Sequence, residues 1–373
     1  MRTPKYVVDL DKFKKNCESV MLPFNYEWNG NVEFGYSVKT NRDPKLIQYA
    51  YNCLDWDIEV VSPDEYRYCV ELGIPKERII LNGPCKNELL NEIKILSGVI
   101  NLDHYKEVVD FAAQHKNYSG LVGLRINFDL ESVCPNETTA GTEVSRFGID
   151  CETDIFFECL DILKNNGIHN VGLHMHCSTV TRSLKVFEAL ANKAVELKER
   201  AHFDFAFIDM GGGFFGGRDV CGKPKMAEYA KAICNILKNA FNPHKTKLIL
   251  EPGASVLATC VTYETSIINE RIIRGVKVLT IDGTLLHINP LMQDRNQPFE
   301  VLNEKYRERD IIEKQIIGGA TCMENDRLAS LVNKFELCVG DILSFKYVGA
   351  YTMGFNSYFI LDPPHVKYME ENN

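Results

Sequence analysis

The sequence predicts an α/β protein made of a (β/α)8 barrel of the TIM type and a C-terminal antiparallel β domain. Eight short apolar runs of strand character precede residue 252, and amphipathic helical patterns separate most of them. Eight repeats of strand and helix are what this barrel requires. After about residue 260 the apolar runs continue with few helical patterns between them, which is typical of an antiparallel sheet.

The barrel strands are expected in chain order at Val32–Val38, Asp57–Val61, Arg78–Leu81, Gly98–Leu102, Leu121–Ile126, Val171–His174, Phe205–Asp209 and Lys247–Glu251. The clearest helices are expected at Glu65–Leu72, Asp154–Asn165 and Val186–Arg200. A doubly wound sheet is the weaker alternative, because no GxGxxG follows the first strand.

The β domain is expected to contain strands at Arg274–Ile281, Ile311–Ile317, Asp341–Val348 and Ser357–Leu361. An N-terminal strand near Tyr6–Leu10 is expected to complete it. The predicted boundaries are therefore 25–262 for the barrel, with 1–24 and 263–373 forming the β domain.

Composition restricts the class of protein. The chain has 373 residues, of which 45% are apolar and 25% charged, as in soluble globular proteins of two domains. No apolar run approaches the roughly 18 residues of a membrane span, and no signal-peptide core precedes the first strand, so we expect a cytoplasmic protein without membrane contact. A net charge of −9 argues against a nucleic-acid partner, and the 13 scattered cysteines suggest free thiols.

Two unusual polar features end predicted barrel strands, where functional side chains of such barrels collect. Lys39 follows an apolar strand, where a lysine needs either a partner or a route to solvent. His174 and His176 are two residues apart and would point to the same side of a strand. A third metal ligand at a suitable spacing is missing, so we expect no metal and favour a histidine packed on a cofactor ring or in the core.

The strand ends also carry an anion-binding pattern and a carboxylate. Gly211, Gly212 and Gly213 directly follow a strand, and consecutive glycines let backbone N–H groups converge on a phosphate. Glu251 ends the last barrel strand, where a buried carboxylate needs a cationic or N–H partner. Lysine, histidine, phosphate loop and carboxylate together are what pyridoxal phosphate requires.

With these motifs the chain resembles the barrel-type (fold type III) pyridoxal-phosphate decarboxylases, the family of ornithine, diaminopimelate and arginine decarboxylases. The resemblance implies that Lys39 holds the cofactor as a Schiff base and that Glu251 pairs with its ring nitrogen. The remaining cofactor-binding residues that it implies are Glu59, Arg125, His176, Thr179, Gly211, Gly212, Gly213, Gly253 and Tyr351.

The resemblance also extends to the β domain. Cys322-Met-Glu-Asn-Asp326 is similar to a family segment that is offered across a dimer interface, which implies a homodimer with shared active sites. Cys322 is then the candidate acid that protonates the carbanion left by CO2. The implied substrate-binding residues are Asp294, Met323, Glu324 and Asp326.

Four features depart from the pattern of the family or of its diaminopimelate-specific members. Ala254 stands where arginine commonly contacts the phosphate side, and Met323 stands where ornithine- and diaminopimelate-specific members carry an acid. The segment after Tyr351 is short. Asn289 lies where diaminopimelate enzymes use an arginine, which disfavours a diacid substrate. We therefore expect a diamino acid, or a carboxylated polyamine or siderophore-type intermediate.

Two other functions fit parts of the pattern. An amino-acid racemase can use the same barrel, but it would need a tyrosine base opposite the lysine. A non-catalytic regulatory homologue that binds a protein partner would usually lose the lysine or the phosphate loop, and both are intact here.

Overall fold

The computed structural model describes residues 2–92, 98–293, 297–355 and 359–369. The chain divides into two compact units, of which one is Asn16–Ser255 and the other comprises the residues before and after it. Domain boundaries at 25 and 262 stay a prediction. No helix within the described residues combines the length and the apolar character that crossing a bilayer needs.

The strands, in chain order, are β1 Lys5–Asp9, β2 Val32–Ser37, β3 Asp57–Val60, β4 Ile79–Leu81, β5 Val99–Leu102, β6 Leu121–Asn127, β7 Ile149–Asp150, β8 Val171–His174, β9 Phe207–Asp209, β10 Lys247–Leu250, β11 Val261–Ile273, β12 Val276–Ile281, β13 Phe299–Val301, β14 Ile311–Gly318, β15 Arg327–Phe335, β16 Ile342–Phe345 and β17 His365–Met369. The α-helices are α1 Leu10–Trp28, α2 Pro44–Leu54, α3 Pro63–Glu71, α4 Asn87–Glu92, α5 Tyr105–Gln114, α6 Leu130–Val133, α7 Ile155–Asn165, α8 Leu184–Ala201, α9 Met226–Leu237 and α10 Ala254–Leu257.

The first fold prediction, a closed parallel barrel, is confirmed. Eight strands pair in the order β5-β4-β3-β2-β10-β9-β8-β6, and a β5–β6 pairing closes the ring. The short strand β7 pairs with β6 outside this ring. All eight predicted barrel strands are present, with ends that differ from the prediction by at most two residues.

The barrel strands contribute side chains to a buried apolar cluster. Ile80, Val99, Phe207 and Ile249 form a buried cluster. Phe207 fills the space left by a glycine on the neighbouring strand, since a Cβ on Gly172 would lie 2.4 Å from its ring. Apolar side chains therefore pack the space between these strands, and the functional side chains of such barrels collect at the carboxyl ends.

The second unit contains an eight-stranded sheet with the path β13-β16-β11-β12-β14-β15, to which β1 adds beside β11 and β17 beside β1. Most pairs are antiparallel, as predicted, whereas β1–β17 and β12–β14 are parallel. The N-terminal strand completes this sheet as expected.

One predicted strand is wrong in this unit. Within Ser357–Leu361, Ser357 and Tyr358 lie outside the described residues, and the remaining positions form a bend. Two prolines follow at Pro363 and Pro364, and they lack the N–H groups that a strand needs. The last strand is β17 instead, and none of the predicted strands covers the long strand β11.

Candidate active site

Polar side chains gather at the carboxyl ends of six barrel strands, β2, β3, β4, β5, β9 and β10. They are Lys39, Glu59, Asn82, Asn101, Asp209 and Glu251. All of them except Lys39 are buried. Buried amides and carboxylates are costly unless they are hydrogen-bonded, so their partners define the site.

Lys39 and Glu59 form an ion pair. A turn, in which the Thr40 N–H donates to the Ser37 carbonyl at 3.0 Å, directly follows β2 and carries Lys39. Lys39 Nζ lies 2.5 Å from both carboxylate oxygens of Glu59. The Glu59 side chain is fully buried, whereas that of Lys39 is 30% exposed, so a ligand can reach the amine while the carboxylate is shielded.

Two asparagines connect the acidic groups. Asn82 Nδ2 donates to Glu59 Oε1 at 3.0 Å and to Glu251 Oε1 at 2.6 Å. Asn101 Nδ2 donates to Asn82 Oδ1 at 2.8 Å and to Asp209 Oδ2 at 2.9 Å. The network therefore joins the lysine partner, Glu59, to the carboxylates of Asp209 and Glu251.

Asp209 and Glu251 are a coupled carboxyl pair. Burial raises the pKa of Asp209 to about 6, although the Gly211 N–H, a hydrogen bond with Glu251 and Asn101 lower it. Burial and the charges of Asp209 and Glu59 raise the pKa of Glu251 well above its usual value. A proton on Glu251 can thus be shared with Asp209, and a cation brought against Glu251 would favour its ionised form.

His174 and His176 stack on each other. Their ring centroids are 6.1 Å apart and their planes differ by 15°. Burial, and next the positive charge of Arg125, lower the pKa of both rings well below the usual value, so both are neutral at neutral pH. His176 Nδ1 accepts the Gly212 N–H at 3.2 Å, which ties the ring to the glycine loop.

Neither ring nitrogen of His174 has a hydrogen-bond partner among the described residues. Its Nε2 lies 4.0 Å from Glu251 Oε2, and ligand atoms of His174, Asp209 and Glu251 all lie within 4.8 Å of one another. The sequence analysis found no third ligand beside the two histidines, and the structure brings these two carboxylates to His174. The absence of a metal stays a prediction.

The glycine loop that follows β9 packs closely against its neighbours. Gly211 and Gly213 adopt positive φ angles of 65° and 92°. A Cβ on Gly211 would lie 2.5 Å from His176, and one on Gly212 would lie 2.5 Å from the carbonyl oxygen of Glu251. Side chains are therefore excluded from this loop on two sides.

The hydroxyl groups of Thr40 and Ser255 are buried and have no hydrogen-bond partner among the described residues. Each lies against a glycine: a Cβ on Gly253 would be 2.5 Å from Thr40 Oγ1, and a Cβ on Gly216 would be 2.9 Å from Ser255 Cβ. Buried hydroxyls without partners are uncommon, and a phosphate would satisfy them. Together with the amine and the carboxylates, this donor set fits pyridoxal phosphate.

Arg125 and Thr179 lie at two further strand ends. Arg125 Nη1 donates to Asp103 at 3.0 Å, and its guanidinium lies 4.4 Å from the centre of the Phe147 ring. Thr179, in the segment after β8, accepts the Arg182 N–H on Oγ1 at 3.1 Å. Their contact with a cofactor stays a prediction.

The candidates in the second unit differ in exposure. Cys322 and Glu324 are exposed, Met323 is half-buried, and Glu324 pairs with Arg327. Asp326 is buried and holds its own turn, because its oxygens accept the Leu285 N–H at 2.7 Å and the Thr321 hydroxyl at 2.6 Å. Their contacts with substrate stay predictions.

Two more predicted residues of this unit stand apart. Asp294 lies outside the described residues. Tyr351 is 40% exposed and adopts a positive φ of 55°, which is uncommon for a residue with a bulky side chain. Its contact with the phosphate stays a prediction.

Asn82 and Asn101 are parts of the site that were not predicted from the sequence. Asn82 directly follows β4, and Asn101 lies within β5. The rule that selected Lys39 and Glu251, a polar residue at the end of an apolar barrel strand, would also have selected both.

Comparison with known proteins identifies the family. The family model described as pyridoxal-dependent decarboxylase, pyridoxal binding domain, matches residues 10–258. A diaminopimelate decarboxylase from Aquifex aeolicus is 25% identical over 381 residues, covering 99% of this chain and 87% of the relative. An ornithine decarboxylase from Cricetulus griseus is 26% identical over 352 residues, covering 87% of this chain and 72% of the relative.

A solved structure has the same fold. The diaminopimelate decarboxylase from Helicobacter pylori complexed with L-lysine matches with a TM-score of 0.81 at 20% identity, covering 100% of this chain and 93% of that chain. The predictions of a pyridoxal-phosphate cofactor and of a decarboxylase are confirmed by the family match. The chain belongs to the pyridoxal-dependent decarboxylases.

Proposed function

We propose that this enzyme decarboxylates an amino acid with a second amino group, and that Lys39 holds its cofactor. One observation carries the proposal: the amine of Lys39 contacts Glu59, which Asn82 links to Glu251, beside a close-packed glycine loop. These groups supply the amine, the counter-charge and the phosphate site that the cofactor needs.

Each group has a role in this proposal. Gly211–Gly213 and the hydroxyls of Thr40 and Ser255 would hold the phosphate, and His176 would pack against the ring. Glu251 would pair with the ring nitrogen. When bound, pyridoxal phosphate supplies an electron sink that stabilises the negative charge left on the substrate's α-carbon as CO2 departs.

Glu59 is proposed to manage the proton of Lys39. An amine reacts as a nucleophile only when it is neutral. Both oxygens of Glu59 lie 2.5 Å from Lys39 Nζ, within hydrogen-bonding reach for a proton transfer. Glu59 is therefore the group that takes this proton and returns it.

A substrate with one carboxylate and a distal amine is favoured over a diacid. The matched relatives include ornithine decarboxylases, whose substrate has one carboxylate, as well as diaminopimelate decarboxylases, whose substrate has two, so the distinction depends on residues of this chain. Asn289 is neutral, and its amide donates to the Gln293 carbonyl at 2.7 Å and accepts the Gln293 N–H at 3.1 Å. It is thus engaged in its own turn and offers no positive charge to a distal carboxylate.

We further propose a homodimer in which Cys322 of the partner subunit protonates the α-carbon after CO2 leaves. The exposure of Cys322 and the similarity of the segment from Cys322 to Asp326 to a dimer-interface segment of the family support this. A thiol can donate this proton if its surroundings tune its pKa.

The function is tested by CO2 release from a panel of substrates: L-ornithine, L-lysine, L-arginine, diaminopimelate and a carboxylated polyamine. We expect release from at least one of the amine-bearing monocarboxylates, slower release from diaminopimelate and none with Lys39→Ala. Absorbance at about 420 nm, a property of the bound cofactor, should disappear in Lys39→Ala. Holo-protein that releases CO2 from none of these compounds would refute the proposal.

A further inference from the structure

The segment between β8 and α8 places an arginine beside the glycine loop. We propose that Arg182 supplies the positive charge for the cofactor's phosphate, in place of the arginine that is absent at Ala254. This inference rests on the proposed function, since it concerns how the same site holds its cofactor.

The backbone of Arg182 is held in a strained conformation. Its φ is +60°, in the left-handed region that costs a residue with a Cβ about 1 kcal/mol or more. Its N–H donates to Thr179 Oγ1 at 3.1 Å, and its carbonyl accepts the hydroxyl of Tyr229. Two hydrogen bonds therefore fix a conformation that the residue would not prefer alone.

The same tyrosine attaches this backbone to the glycine loop. The Tyr229 hydroxyl accepts the Phe215 N–H at 3.4 Å while it donates to Arg182. Its ring packs edge-on against Phe187 and Phe214, at centroid distances of 5.0 and 5.3 Å. Because Phe214 directly follows Gly213, the position of Arg182 is fixed relative to the loop.

The guanidinium of Arg182 is turned toward that loop. Its Nη1 donates to the carbonyl of Phe214 at 3.5 Å, a long hydrogen bond that a better acceptor could replace. The residue is half-buried, and it forms no ion pair with a carboxylate among the described residues. Of the five N–H donors of an arginine, most are therefore available.

A phosphate is the ligand that this arrangement suits. The buried hydroxyls of Thr40 and Ser255 are neutral donors, and they cannot balance the charge of a phosphate dianion. A guanidinium provides that charge and can make two parallel hydrogen bonds to phosphate oxygens. Thr179 bonds to the backbone of Arg182, so the hydroxyl expected at the phosphate and the arginine belong to one turn.

The test compares pyridoxal phosphate with pyridoxal, which lacks the phosphate. Both are titrated into apo-protein, with absorbance at about 420 nm as the readout. The measured quantity is the affinity for pyridoxal phosphate divided by the affinity for pyridoxal. We expect Arg182→Met to lower this ratio by about 10- to 100-fold through weaker binding of pyridoxal phosphate alone. Pyridoxal should bind as tightly as to the wild type, which also reports an intact fold.

Lys223→Met is the matched control. Lys223 is a second cation of the same region, and its Nζ donates to the Thr181 carbonyl at 2.8 Å. It forms no hydrogen bond to the glycine loop among the described residues, so its loss should leave the ratio unchanged. Should Arg182→Met fail to fold, Arg182→Lys is used, with an expected fall of about threefold to tenfold from the lost pair of hydrogen bonds.

A second variant tests the exchange of positions. Arg182→Met combined with Ala254→Arg should recover most of the lost affinity for pyridoxal phosphate. An unchanged ratio in Arg182→Met, or a double variant that binds no better than the single one, would overturn the inference. Failure of the wild-type protein to bind pyridoxal phosphate at all would instead overturn the proposed function.

Discussion

At the scale of single residues, the ionisation state of Glu251 depends on which charged groups lie against it. It is buried with Asp209 and shares a hydrogen-bonding network with Glu59, and burial and both charges raise its pKa. The charge of Lys39 lowers this pKa only in part, so the neutral form of Glu251 is favoured when no ring nitrogen lies against it. A protonated ring nitrogen would reverse this preference, because an opposite charge stabilises the carboxylate.

The first prediction concerns the charge of Glu251. Glu251→Gln keeps the size of the side chain but removes the counter-charge of the ring nitrogen, so CO2 release should fall about 100-fold or more. The cofactor should still bind, as its absorbance would report. Glu33→Gln is the control, since Glu33 pairs with Lys247 on the barrel strands away from this site. An equal loss of rate in both variants would contradict the prediction.

The second prediction concerns Asp209 and pH. Its pKa in the folded apo-protein is about 6, raised above the ordinary 3.8. The stability that its protonated form contributes is fully present below about pH 4 and is lost as the pH rises through 6. Relative to Asp209→Asn, wild-type apo-protein should lose unfolding free energy on the order of 2–3 kcal/mol over that window. Urea unfolding at a series of pH values measures this difference. Unfolding free energies of wild type and Asp209→Asn that change in parallel with pH would contradict the prediction.

At the scale of secondary structure, the glycine loop after β9 is shaped by backbone conformation and by close contact. Gly211 needs both a positive φ of 65° and the lack of a side chain against His176. Gly222 also has a positive φ, 78°, but nothing lies within 4 Å of its missing Cβ. The two glycines therefore separate strain from crowding.

The third prediction uses this pair. Gly222→Ala should cost about 1 kcal/mol of unfolding free energy, from the left-handed backbone alone. Gly211→Ala should cost more, because the Cβ also displaces His176, and it should weaken binding of pyridoxal phosphate. Urea unfolding and cofactor titration measure the two effects. Equal costs, with cofactor binding intact, would argue against the close packing of this loop.

At the scale of the whole molecule, the residues proposed to act in catalysis come from both compact units. Lys39 belongs to Asn16–Ser255, whereas Cys322 belongs to the other unit. In the proposed homodimer, each active site combines Lys39 of one protomer with Cys322 of the partner subunit. In a mixed dimer of a Lys39 variant and a Cys322 variant, both substitutions would then fall in the same site and the other site would be intact.

The fourth prediction follows from that arrangement. Lys39→Ala and Cys322→Ala proteins, each impaired alone, should regain roughly a quarter of the wild-type rate of CO2 release after dissociation and random reassociation. Sedimentation of the wild-type protein should give a dimer. Mixed proteins with no gain in rate, or a Cys322→Ala protein with full rate and unchanged products, would contradict the shared site.

Much of the fold was predictable because its signals are local. All eight barrel strands contain a short, mostly apolar run, and such runs indicate strands without knowledge of their neighbours. Strand β11 was not predicted, because its apolar residues alternate with polar ones such as Glu264 and Asn269 and it lacks a strong apolar run. The bend within Phe359–Leu361 was mistaken for a strand because the apolar residues there resemble one.

The sequence by itself determined the barrel, the added β sheet and the chemistry of the groups at the strand ends, since each depends on residue type and on spacing along the chain. Only the tertiary structure decided which of those groups meet. It brought Asn82 and Asn101 between three carboxylates, and it set Arg182 beside Phe214. Closing eight strands into a ring brings together residues far apart in the chain, and such contacts leave no local pattern to read.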